Sequence, residues 1–212
     1  MRSADGRLAG EELRGRLRRG RIDLREIARW LDSLEPALRV AAIRSLGRRE
    51  QRALYAAAEG GRGLRLVDLV PESVPDLVPV RHQGRNTLPL FTHFEKRFCR
   101  PRGADPEKPA LLYGFNFQRL AFATGPGYFV AREDPARAEV RIDYGSLPPE
   151  RPESWPAIRS NEQGLARLVY GFLEDTLRRV SEHVAIGSAA RRGRDLGSWF
   201  VLCRYPPAST TR

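Results

Sequence analysis

From Leu111 to Phe117 every second residue, Leu111, Tyr113, Phe115 and Phe117, is apolar, while Gly114, Asn116 and Gln118 fall between them. A period of two puts one kind of side chain on each face of an extended chain, so the stretch predicts a half-buried strand. Gly125-Pro126-Gly127 then combines a fixed φ with two residues that tolerate positive φ, and strand-forming types resume at Tyr128. A hairpin follows from that order. Upstream, Leu88, Leu90, Phe94 and Phe98 share one parity and Phe91, His93, Glu95, Arg97 and Cys99 the other, which predicts a long strand. Leu64 and Leu66, running on through Asp68 to Val70, read as a short strand, as do Val140, Ile142 and Tyr144 alternating with Arg141 and Asp143. The almost wholly apolar run Ser198 to Tyr205 predicts a last strand in the middle of a sheet.

Elsewhere the period lengthens. Leu165, Leu168, Val169, Phe172, Leu173, Thr176, Leu177, Val180 and Val184 recur at spacings of three and four, behind a capping pair at Ser160 and Gln163. This predicts one long amphipathic helix near 161–185, about 36 Å long at 1.5 Å per residue. In the first sixty residues, Asp23 with Glu26 opens one short helix, Glu35-Pro36 another that stops at Gly47, and 48–59 a third that closes at Gly60-Gly61. Residues 1–21 read as a weak helix or flexible lead-in. The expected architecture is α+β: an N-terminal helical segment, 1–61, serving as a lid or partner surface, and a sheet domain, 62–212. In the latter, a curved, mostly antiparallel sheet is covered by the long C-terminal helix and completed by a central last strand.

Composition adds limits. A chain of 212 residues with 41% hydrophobic content can bury a core without staples. Cys99 and Cys203, far apart and in strand-like runs, read as reduced buried thiols, and neither an opening signal peptide nor a span-length apolar run is found. The expectation is a cytoplasmic protein. A net charge of +11 invites a nucleic-acid reading, centred on Arg14 to Arg21 and the run Arg191 to Arg194. Arginine is scattered over the whole chain, however, and Lys96 and Lys108 are the only lysines, which suggests a compositional habit.

Candidate chemistry is sparse. His82, Arg85 and Asn86 lie in the run HQGRN, read as a loop able to hold an anion through a guanidinium and an amide. Asn116 and Gln118 offer amides on one strand face, and Tyr128 a phenol at a pocket mouth. His93, Glu95 and Arg97 share a face and could act as an acid–base set, with Glu95 or His93 taking a proton and Arg97 or Arg85 stabilising negative charge. Three scattered histidines and two unpaired cysteines give no metal spacing, and no cofactor motif is present. The leading functional expectation is therefore a domain that binds a small or amphiphilic molecule in an aromatic-lined pocket. An acid–base enzyme and a basic nucleic-acid module are the alternatives, and the N-terminal helices offer a surface for a protein partner.

Overall fold

The computed structural model describes residues 2–89, 92–117, 126–161 and 170–205. Eight strands run in order: β1 (Val80–Asn86), β2 (His93–Cys99), β3 (Leu112–Phe117), β4 (Tyr128–Asp134), β5 (Glu139–Asp143), β6 (Leu173–Arg179), β7 (Val184–Arg191) and β8 (Arg194–Arg204). Each pairs antiparallel with its sequence neighbour, and β8 returns to β1 through pairs such as Gly84 with Leu202, so the sheet closes into an up-and-down barrel. Closure removes every sheet edge.

The expectation of an open α+β sheet beneath a long C-terminal helix is overturned. Where a helix near 161–185 was expected, the described residues form β6 and the start of β7; residues 162–169, with Leu165, Leu168 and Val169, lie outside them. The reason is chemical. Leu173, Asp175 and Leu177 share the parity that faces the barrel interior, and a carboxylate at the middle position hides the period of two. The hairpin between β6 and β7 also turns without glycine or proline, through bonds from the amides of Val180 and Ser181 to the Val184 carbonyl at 2.9 and 3.0 Å. Nothing in the residue types marks the break.

Two smaller readings change as well. The stretch Leu64 to Val70 is not a strand: it carries the single-turn helix α5 (Leu66–Leu69), whose apolar side chains plug the lower end of the barrel together with Leu64 and Val70. The HQGRN run is not a loop but most of β1.

Three apolar clusters hold the molecule. Inside the barrel, Phe94, Phe98, Phe129, Tyr144 and Phe200 pack with Leu112, Ile142, Leu177 and Leu202. The rings fit because strand glycines admit them: a Cβ on Gly114 would stand 2.3 Å from the Phe129 ring, and one on Gly187 2.3 Å from that of Phe200. Outside the barrel, helices α1 (Arg2–Arg18), α2 (Leu24–Ser33), α3 (Pro36–Arg44) and α4 (Arg48–Ala57) bury Leu13, Ile27, Leu31, Ile43, Leu46 and Leu54 against Val184 and Ile186 of β7 and Val201 and Cys203 of β8. Asp23 caps α2 as expected, accepting from the amides of Arg25 and Glu26 at 2.9 and 3.0 Å; the Glu26 carboxylate turns to Arg16.

The third cluster corrects the expectation about the aromatic face. Tyr113 and Phe115 point outward from the wall, where Trp155 and Tyr128 cover them, with ring centroids of Phe115 and Trp155 4.8 Å apart. Phe117, on the same parity, is exposed. It is the opposite parity, with Gly114 and Asn116, that faces the interior.

Candidate functional site

The connections β1–β2, β3–β4, β5–β6 and β7–β8 gather at one end of the barrel, here called the upper end, opposite the α5 plug. In the upper half of the interior lies a polar cluster in otherwise apolar surroundings. Lys96 stands on β2 between Phe94 and Phe98, at a position of inward parity, and its side chain is almost wholly buried. Its three ammonium protons all have acceptors: Asn116 Oδ1 at 2.9 Å, Asp175 Oδ2 at 3.0 Å and the Tyr144 hydroxyl. Tyr144 donates to Asp175 Oδ2 at 3.0 Å and accepts from Asn116 Nδ2 at 2.9 Å. Three aromatic faces surround the ammonium, those of Phe129 and Phe200 at 5.0 Å and Phe94 at 5.8 Å, while Tyr144 meets it through its hydroxyl.

Five strands and the end of β5 supply this set: β2 gives Lys96, β3 Asn116, β4 Phe129, β6 Asp175, β8 Phe200, and Tyr144 follows β5 directly. Burial pulls the Lys96 ammonium below its ordinary value while Asp175 opposes the shift, and burial raises the Tyr144 phenol well above its own. Tyr170 stacks on Tyr144, centroids 5.5 Å apart, and Asn161 donates to the carbonyls of Tyr128 and Tyr144, which ties the β5–β6 connection to this end of the core.

The residues singled out from the sequence are divided by the wall. Asn116 enters the interior cluster. His82 is also interior, but near the plug, where its Nε2–H donates to the Leu69 carbonyl at 3.0 Å and burial lowers its pKa to about 3. Arg85 points outward and donates to the Arg44 carbonyl at 2.6 Å, and Asn86 accepts from the Leu88 amide at the upper rim. Tyr128 lies in the outer cluster, where its hydroxyl donates to the Pro156 carbonyl and burial pushes its pKa up to about 12. Gln118 lies outside the described residues.

His93, Glu95 and Arg97 share the outer wall of β2. Burial alone would raise the Glu95 carboxyl, but hydrogen bonds from Arg81 and Arg97 outweigh it and hold it below its ordinary value. His93 is lowered by burial and by the charges of Arg44 and Arg85. Glu95 is thus buried on the outer face of β2 and ion-paired there with Arg81 and Arg97, while His93 is exposed beside them. Much of the basic cluster in α1 is likewise engaged, Arg16 with Glu12 and Glu26 and Arg18 with Glu50.

Lys96, Tyr144 and Asp175 were not singled out from the sequence. One signal for Lys96 was present: it is one of only two lysines in an arginine-rich chain, and it interrupts the greasy parity between Phe94 and Phe98. A cavity of about 250 Å³ lies at the lower end beside α3, lined in part by Arg39 and Arg204. Both guanidiniums are engaged by the fold, Arg39 with the carbonyls of Leu31 and Leu34 and Arg204 with His183.

Comparison of the chain with protein-family models and with curated proteins finds no match. No helix among the described residues is long and apolar enough to cross a membrane. A closed barrel with buried aromatic clusters is compatible with ligand binding, since eight strands enclose a space that side chains fill or that holds one small molecule.

Proposed function

We propose that this barrel binds a small amphiphile whose apolar body lies among the interior rings and whose anionic or hydrogen-bond-accepting head meets Lys96, Asn116 and Tyr144. The observation that carries the reading is the Lys96–Asp175 ion pair, enclosed by aromatic faces in the upper half of the interior. Removing two charges from water costs several kcal/mol each, and a packed apolar pair usually serves stability as well or better. Polarity placed there at such a cost, amid convergent donors and rings, is how recognition sites are commonly composed.

The test uses saturation binding of 1-anilinonaphthalene-8-sulfonate and its displacement by medium-chain carboxylic acids. The double variant Lys96→Met/Asp175→Leu removes both charges together and keeps the interior filled. Wild-type protein is expected to bind saturably and the double variant at least about tenfold more weakly, a difference near 1.4 kcal/mol. No saturable uptake by the wild type, or equal uptake by the two proteins, overturns the reading.

A further inference from the structure

Among the described residues seven large apolar side chains are exposed, and five of them, Leu88, Phe117, Leu147, Phe172 and Leu196, belong to the upper end of the barrel. They come from different parts of the circumference. Leu88 lies in the β1–β2 connection, Phe117 ends β3, Leu147 follows β5, Phe172 precedes β6, and Leu196 lies near the start of β8. Each is 39 to 49% exposed. Scattered apolar residues on a surface need no explanation, but a collar of them at one end of a barrel does.

Arginine accompanies this collar. The Arg97 guanidinium lies 4.2 Å from the centre of the Phe117 ring, and that of Arg192 lies 4.3 Å from the Phe172 ring. Arg159, Arg192 and Arg194 are themselves exposed at this end. The opposite end is closed by α5, and one flank of the wall is covered by the helices, so the collar is not a remnant of either packing face.

We infer that the upper rim docks on an anionic lipid surface, the collar entering the boundary between headgroups and acyl chains while the arginines meet lipid phosphates. Apolar side chains set at separate connections around a ring suit a fluid surface better than the fixed relief of a protein partner. Aromatic rings beside guanidiniums combine the apolar insertion and charge attraction that hold interfacial segments on such membranes. A chain of net charge +11 adds to the attraction. The inference gives the proposed amphiphile a source, but docking is measured without any ligand.

The experiment is co-sedimentation of the full chain with phosphatidylcholine vesicles, with and without equimolar phosphatidylglycerol, at low and raised salt. Two double variants are compared: Phe117→Ser/Phe172→Asn, asparagine being at ease at the φ of 56° found at Phe172, and Arg192→Glu/Arg194→Glu. All four positions are exposed or at the rim, so the fold is kept; circular dichroism checks this. The wild type is expected to partition at least about tenfold more onto anionic vesicles, to leave them as salt rises, and to lose about tenfold in either variant. Salt-independent binding, equal binding to neutral vesicles or no binding overturns the inference. So does light scattering that shows a dimer abolished by the same variants, since the rim would then be a contact between copies. Lys96→Met/Asp175→Leu is expected to dock unchanged, which separates failure of docking from failure of the interior site.

Discussion

At the level of single residues, the interior cluster and His82 make opposite demands on solvent. Lys96 and Asp175 are buried charged and satisfy one another, so removing one partner strands the other. Lys96→Met alone is expected to cost about 3–5 kcal/mol, whereas Lys96→Met/Asp175→Leu should be near neutral or stabilising. Urea denaturation of the three proteins checks this, and a single variant as stable as the pair would show that the charges are not coupled. His82 is buried neutral, with a pKa lowered to about 3. The unfolded chain takes up a proton there first, near 6.5, so stability is full above that value, falls as pH drops through the window, and levels off below about 3. The difference is on the order of 4–5 kcal/mol. His82→Gln, which keeps an N–H for the Leu69 carbonyl but does not titrate, is expected to flatten the dependence of denaturation midpoint on pH between those limits.

At the level of elements, strand pattern was legible where aromatic or β-branched residues marked one parity, even with Lys96 set between Phe94 and Phe98, and failed where a buried carboxylate stood between leucines. The strands around Phe94 to Phe98, Tyr113 to Phe117, Val140 to Tyr144 and Trp199 to Cys203, and the helix capped by Asp23, could be read directly. β6 could not, because Asp175 sits on the inward parity and makes its leucines mimic a helix. Which side of β3 faces the core was also misread, because both sides are buried: Gly114 and Asn116 against the interior, Tyr113 and Phe115 against Trp155. Alternation fixes parity but not the direction in which the centre lies. Backbone chemical shifts of Leu173–Arg179 and Val184–Arg191 are expected to be those of extended chain. The turn between β7 and β8 is a two-residue one, with Arg192 and Gly193 at φ of 50° and 74°. Gly193→Val forces a β-branched residue into the left-handed region and is expected to cost about 1–2 kcal/mol or more by thermal denaturation.

For the molecule as a whole, the question is whether the helices of 1–61 form a layer that can lift from the barrel. Leu13, Ile27, Leu31, Ile43, Leu46 and Leu54 are fully buried in the cluster they share with β7 and β8. At roughly 1.5–3 kcal/mol for each such side chain, peeling the layer away costs on the order of 10 kcal/mol, comparable to the 5–15 kcal/mol that holds a typical domain folded. Local opening should therefore be no cheaper than global unfolding. The two thiols report on this from different sides, Cys203 beneath the helices and Cys99 in the cluster under Trp155. Burial pushes their pKa values up to about 11 and about 12, so neither reacts appreciably while folded. In a thiol-labelling experiment at neutral pH both are expected to react at one common rate, matching that of global unfolding. If Cys203 reacts well ahead of Cys99, the helices open as a separate unit, and the shared core does not bind the layer as tightly as its buried leucines imply.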